Sequence, residues 1–162
     1  MKLNLDTLPF GRSALEVEET FPVEDGEGGW SGLSAGGELT VDNTDSRVLV
    51  AGVLAVSCPA VCDRCLEAFE LAYEAGVDIQ IIRAKPGTPG DEPPDTWILY
   101  QVRGEVDLDE PLREAALLDL PIKRVCREDC LGICPSCGAD RNQKDCDCPR
   151  ESADPRWDGL EP

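Results

Sequence analysis

Nine cysteines and no histidine define the chemistry open to this chain, because any site for a soft metal must then be built from thiolates. Six fall within 23 residues, at Cys126, Cys130, Cys134, Cys137, Cys146 and Cys148, and three lie earlier, at Cys58, Cys62 and Cys65. The most specific pattern is Cys134-Pro-Ser-Cys137-Gly138. Two thiolates separated by two residues grip one tetrahedral ion from a tight turn, and a following glycine can take φ > 0 so that backbone N–H groups point at sulfur. Cys146 and Cys148 follow after an eight-residue spacer, long enough to return to the same ion. Cys134, Cys137, Cys146 and Cys148 are therefore the expected first metal site, with structural zinc as the expected ion.

Cys62-Asp-Arg-Cys65 supplies half of a possible second site. Cys126 and Cys130 can complete it if segments distant in sequence meet across a sheet. Joining Cys62 and Cys65 to Cys134 and Cys137 is the alternative, and spacing does not choose between them. A hairpin turn that carries no ligand is the plainer reading. Cys58 is expected to be a buried strand residue outside either site.

The same inventory argues against catalysis. There is no histidine to act as general base, and Gly-x-Ser-x-Gly and phosphate-loop patterns are absent. Among 33 acidic residues no carboxylate pair stands out from a solvated face. No catalytic residue and no organic cofactor is expected, and the chain reads as not an enzyme. The rival class is a thiol-redox or iron–sulfur protein. A thioredoxin-like Cys-x-x-Cys sits at a helix N-terminus that lowers the thiol pKa, whereas the residues after Cys65 read as extended. Cys130-x3-Cys134-x2-Cys137 has the spacing of radical S-adenosylmethionine enzymes. Those enzymes place it early in a large α/β barrel, and here 25 residues follow it.

The formal charge is −18, which makes for a soluble surface that repels nucleic acid and anionic membranes. Residues 121–150 stand apart, with six basic side chains against five acidic ones, while the remainder carries −19. That segment contains no Phe, Tyr or Trp. Direct contact with RNA, the third functional class, is thus disfavoured, because RNA binders pair basic patches with stacking aromatics. The start of the chain lacks the continuous apolar run of a secretory signal and no stretch approaches a membrane span, so a cytoplasmic location is expected. In that compartment clustered cysteines hold metal more readily than disulfides.

Strand-like segments must position the cysteines. Leu3 and Leu5 alternate with polar residues, Leu15–Val17 is a weak strand signal, and residues 25–37 read as a glycine-rich loop pinned by Trp30. Residues 38–41, 47–57 and 67–84 carry the strongest β patterns, with the Cys58–Cys65 cluster at a hairpin tip. Four prolines make residues 85–95 an expected mobile loop, and residues 97–106 read as a further strand. Asp109-Glu-Pro-Leu opens a helix, with Asp109 as the N-cap and Pro111 in the first turn. Leu112, Ala115, Ala116 and Leu120 form its apolar face before Pro121 ends it. The expected fold is α+β: a mainly antiparallel sheet or open barrel, one helix near 110–119, and a small cysteine-rich metal-binding C-terminal segment. The expected division is a β-rich core over 1–120 with a mobile loop at 85–96, a metal-binding segment over 121–150, and a disordered tail over 151–162.

Three blocks together resemble the YceD family, the large ribosomal RNA subunit accumulation proteins. They are Cys62-Asp-Arg-Cys65-Leu-Glu between strands, the acidic Leu-rich stretch from Val106 to Pro121, and the tail Cys126-x3-Cys130-Leu-Gly-Ile-Cys134-Pro-Ser-Cys137-Gly-Ala-Asp-x-Asn142 with Cys146-x-Cys148. The resemblance implies a non-enzymatic role in accumulation of large-subunit ribosomal RNA and ribosome assembly. Charge and resemblance together point to a ribosomal protein or assembly factor as partner.

Overall fold

The computed structural model describes residues 1–22, 32–84 and 97–149. Within them lie seven strands and one helix: β1 (Lys2–Asn4), β2 (Gly11–Phe21), β3 (Leu33–Asn43), β4 (Arg47–Val61), β5 (Ala68–Ile82), β6 (Trp97–Tyr100), β7 (Glu105–Asp107) and α1 (Asp109–Leu118). Trp30, the expected loop 85–96 and the expected tail 151–162 lie outside the described residues.

Strands β2 to β6 form one sheet in sequence order, and β1 pairs with β7 in a second, two-stranded sheet. The β2–β3–β4–β5 pairings are antiparallel, while β6 joins β5 in parallel. Among the described residues the sheet is not closed, with β2 and β6 as its edges, in keeping with the expected antiparallel sheet or open barrel.

Period-2 patterning explains which face is inside. Even positions of β4 (Val48, Val50, Leu54, Val56, Cys58, Ala60) and odd positions of β5 (Leu71, Ala75, Val77, Ile79, Ile81) point to the core. Leu33, Leu39 and Val41 from β3 join them, and α1 covers the layer with Leu112, Ala115 and Ala116. Each buried Val, Leu or Ile among them contributes roughly 1.5–3 kcal/mol, and each Ala less. The opposite face carries Glu16, Glu18, Glu38, Glu70, Glu74 and Asp78 among small residues, all exposed.

Several expectations change. Residues 33–37 are not loop but the start of β3, because Leu33 and Ala35 extend the inward alternation. Gly37 is needed there because strand β4 runs close: a Cβ at Gly37 would come within 3.1 Å of the Val53 carbonyl oxygen. Leu15–Val17 sits in an eleven-residue strand whose exposed Glu16 and Glu18 weaken the apolar signal. Residues 97–106 divide into β6 and β7, which belong to different sheets. The N-cap of α1 is Leu108 rather than Asp109, and its apolar side chain makes no capping hydrogen bond. Instead the Asp107 carboxylate accepts from the Asp109 N–H (3.0 Å), and Asp109 and Glu110 supply the first-turn negative charge that favours a helix N-terminus. At the other end, Tyr73 Oη donates to the Ala116 carbonyl (2.6 Å) and the Gly76 N–H donates to Asp119 Oδ2 (2.7 Å), tying the helix to β5.

Candidate metal centre

The β4–β5 hairpin is two fifteen-residue strands paired from Arg47↔Ile82 to Val61↔Ala68, and its tip carries Cys62 and Cys65. The tip is a closed turn: the Leu66 N–H donates to the Cys62 carbonyl (2.9 Å) and the Cys62 N–H to the Glu67 carbonyl (2.9 Å). The returning chain docks on it. Asp63 N–H donates to the Arg124 carbonyl (2.8 Å), and Arg124 N–H donates to Asp63 Oδ2 (2.7 Å), which holds the Asp63 carboxyl below the usual carboxylate range. Docking brings Cys126 and Cys130 over the tip.

The result is a four-thiol group, Cys62, Cys65, Cys126 and Cys130, whose sulfur atoms all lie within 4.8 Å of one another. Cys62, Cys65 and Cys130 are buried and Cys126 is half-buried, with Phe69 and Val125 packed against them. Cys62 Sγ is 3.9 Å from Cys130 Sγ, and Cys65 Sγ is 3.7 Å from Cys126 Sγ. A tetrahedron of metal–sulfur bonds of about 2.3 Å has an edge of about 3.8 Å. These separations therefore match the edges of one tetrahedral ion and exclude disulfide bonding in this state. They are also short for an iron–sulfur cluster, which spreads its cysteines over different irons. The expected second site is thus assembled as a group, with Cys126 and Cys130 as the partners of Cys62 and Cys65.

A second group, Cys134, Cys137, Cys146 and Cys148, also holds its sulfurs within 4.8 Å. Its turn repeats the first: Gly138 N–H donates to the Cys134 carbonyl (2.8 Å), and Cys134 N–H to the Ala139 carbonyl (2.8 Å). Gly138 has φ 72°, as the spacing predicts. Cys134 is buried, Cys146 and Cys148 are half-buried and Cys137 is exposed, so this group is more open to solvent.

The electrostatics of both groups suit a cation. Burial pushes the Cys62 thiol up, but the N–H groups of Cys126, Cys65 and Arg64 outweigh it and bring the pKa down to about 6. The Arg64 and Cys126 N–H groups each lie 3.4 Å from the Cys62 sulfur. The N–H groups of Cys137 and Ser136 lower Cys134 in the same way, to about 6. The last thiols to ionise move oppositely. Cys126 is pushed up to about 12 by burial and by its neighbouring sulfurs, and Cys148 to about 12 by its hydrogen bond with the Cys137 thiol and by burial. Four adjacent thiolates repel one another, and a bound divalent cation removes that repulsion and releases the remaining protons.

Three contributors were invisible in the spacing. Arg64 donates through Nη1 to the carbonyls of Cys130 (2.9 Å) and Glu128 (3.1 Å), clamping the incoming segment. Leu66 takes φ 62°, occupying after Cys65 the position that Gly138 occupies after Cys137. Asn142 donates through Nδ2 toward the Cys130 sulfur (3.5 Å). The recurrence of Cys-x-x-Cys plus one residue is the signal that could have exposed Leu66. Nothing local marks Arg64 or Asn142. Cys58 belongs to neither group; it is buried in the sheet core, where burial pushes its thiol up. The Cys62–Cys65 turn opens into strand β5 and not into a helix, so it lacks the helix N-terminus of a thioredoxin-like site. No described helix is long and apolar enough to cross a membrane.

Comparison with known proteins places these residues in a lineage. Proteins of Mycobacterium bovis and Mycobacterium tuberculosis are each 33% identical over 127 residues, covering 76% of this chain and 58% of theirs. The chain thus spans little more than half the length of these relatives. The chloroplastic large ribosomal RNA subunit accumulation protein homolog 1 of Arabidopsis thaliana is 32% identical over 73 residues, covering 41% of this chain and 23% of its own. No solved structure matches the chain. The model of the large ribosomal RNA subunit accumulation protein YceD matches residues 50–162, a span that contains every cysteine of both quartets, and the chain belongs to that family.

Proposed function

We propose that this chain is a non-enzymatic factor supporting accumulation of large-subunit ribosomal RNA, held in shape by two structural zinc ions and acting by docking a basic ribosomal protein or assembly factor. The observation that carries the reading is the pair of four-thiol groups with the sulfur spacing of single tetrahedral ions. Cys62, Cys65, Cys126 and Cys130 hold one ion and Cys134, Cys137, Cys146 and Cys148 the other. The ions supply crosslinks, which a segment of this size needs because it buries too little apolar surface to fold alone. Supporting the partner class, the outward face of the sheet is dominated by carboxylates, and Glu16 lies directly opposite Glu38 across the β2–β3 pair. Like charges in that position destabilise a sheet, and a cationic partner relieves them. Opposite charges also speed the encounter.

The test combines metal analysis with binding. Freshly purified protein should carry two zinc ions per chain and be colourless; visible absorption would favour iron. The zinc-loaded protein should bind one or more purified basic large-subunit proteins, with affinity falling as salt rises. Tight binding to ribosomal RNA fragments at physiological salt, with no binding to any ribosomal protein, overturns the partner. In that event, replacing Lys123, Arg124 and Arg127 with Glu should abolish the RNA contact.

A further inference from the structure

The two quartets share one stretch of chain. Cys130 belongs to the first and Cys134 to the second, and residues 130–133 between them are held from both sides. On one side, Arg64 of the hairpin tip donates to the Cys130 carbonyl, and its own carbonyl accepts from the Ile133 N–H (2.9 Å). On the other side stands the loop that closes the tail turn. Ile133 bridges to Asp140, and Arg141 N–H donates to the Gly132 carbonyl (2.9 Å). Asn142 completes the contact. Its Oδ1 accepts from the Leu131 N–H (2.9 Å) while its Nδ2 lies 3.5 Å from the Cys130 sulfur. Asp140 Oδ1 fixes the amide by accepting from both the Asn142 N–H (2.9 Å) and Nδ2 (2.7 Å).

A residue of the tail turn that is not itself a thiol thus donates to a sulfur of the other quartet. Hydrogen bonds to ligand sulfur orient the ligand and stabilise its anionic form. The position of the Asn142 amide depends on the loop running from Gly138 to Asn142, whose start is fixed by the Cys134–Cys137 turn. We propose that Asn142 is a positioning residue for the Cys62–Cys65–Cys126–Cys130 site, through which metal in the tail quartet strengthens metal binding in the hairpin quartet. The proposal rests on the reading of both quartets as metal sites. Linkage makes it reciprocal: metal in the hairpin quartet strengthens the tail site by the same factor.

Cobalt titration of the full chain tests it, with competition by a chelator of known affinity. Chains carrying Cys134→Ser with Cys137→Ser, or Cys62→Ser with Cys65→Ser, isolate the spectrum of each site. Asn142→Ala should weaken cobalt in the hairpin site by roughly tenfold, the lower end of the effect of losing a ligand's supporting hydrogen bond. It should also move that site's thiolate-to-cobalt charge-transfer band to lower energy, since a sulfur without its hydrogen bond gives up an electron more readily. Emptying the tail quartet should produce the same weakening, and combining the two changes should add nothing further. Unchanged affinity with an unmoved band, or two effects that multiply, overturns the proposal. If Asn142→Ala loosens the loop as a whole, Asn142→Asp keeps the bonds from Leu131 and to Asp140 through its own N–H, while setting an acceptor against the sulfur and against Asp140 Oδ1. It must then shift the charge-transfer band of the hairpin site and leave the band of the tail site in place, since only Cys130 loses its hydrogen bond. An unmoved hairpin band, or bands that move alike at both sites, overturns the proposal. A wild-type chain that binds no metal refutes the metal reading itself, whereas two bound ions with Asn142→Ala indistinguishable from wild type refutes only the coupling.

Discussion

In the hairpin turn the residue after the second cysteine is Leu66 at φ 62°, and in the tail turn it is Gly138 at φ 72°; the backbone hydrogen bonds around the two are the same. What differs is the foundation. The hairpin turn ends two long paired strands and its thiols are buried. The tail turn rests on residues 130–133, which are themselves held by the hairpin turn through Arg64. The same local geometry is therefore imposed by a sheet in one case and by a neighbouring turn in the other. The module is thus hierarchical: the sheet positions the first quartet, and the first quartet positions the second.

The largest effect should come from removing the foundation. Structural zinc contributes on the order of 10 kcal/mol to small modules that fold around it. Cys62→Ser with Cys65→Ser should therefore expose the amides of the whole span 124–149 to hydrogen exchange, tail turn included. Cys137→Ser with Cys148→Ser should leave 124–130 protected. Protection of the tail turn that survives loss of the hairpin thiols would break the hierarchy. Chelation should follow the same order. Cys137 is exposed and Cys146 and Cys148 are half-buried, whereas Cys62 shows 0% of its surface. A chelator should strip the tail ion first, leaving a one-ion species measurable by native mass spectrometry, with the sheet signal in circular dichroism unchanged.

An intermediate effect belongs to the joint between the two turns. Gly132 has φ 71°, and a Cβ there would stand 2.8 Å from the Arg64 carbonyl oxygen. The neighbour is backbone and cannot turn aside. Gly132→Ala combines that clash with a conformation costing about 1–2 kcal/mol for a residue with a Cβ. Gly138 also has positive φ but has nothing within 4 Å of its Cβ direction, so Gly138→Ala should meet the conformational cost alone. Weaker tail-metal retention in Gly132→Ala than in Gly138→Ala, read by competition with a chelator, distinguishes a built joint from mere proximity.

How much of this was legible follows from how local each cause is. The tail quartet could be read because its four thiols lie within fifteen residues and its turn glycine stands beside them. Helix α1 was readable from Pro111 and the Leu112–Ala116 periodicity, though the N-cap moved one residue, since Asp107 does from outside what Asp109 was expected to do. The composition of the hairpin quartet could be offered but not chosen, because Cys62 and Cys126 stand 64 positions apart in the chain and meet through the Asp63–Arg124 contact. The first residues of β3 were hidden because Gly36 and Gly37 mimic a loop, while the reason for glycine at 37 lies in the neighbouring strand. Arg64 and Asn142 have no local signature at all: their hydrogen-bond partners are set by tertiary approach.

The smallest expected effect returns to the pair that differs between the turns. A leucine at φ 62° is strained by about 1–2 kcal/mol relative to a glycine in that conformation. Leu66 is 62% exposed, so its side chain recovers little of that by burial. Leu66→Gly removes the strain but adds backbone freedom to the unfolded chain, at a cost of about 0.5–1 kcal/mol. The balance should be a stabilisation of no more than about 1 kcal/mol, visible as slower amide exchange in residues 62–67 and unchanged sheet stability. The reciprocal change, Gly138→Leu, carries the same two terms with opposite signs and should weaken the tail by no more than about 1 kcal/mol. If Leu66→Gly instead destabilises the hairpin turn, Leu66 makes contacts that outweigh its strain. The equivalence of the two turns would then fail at the one position where their residues diverge.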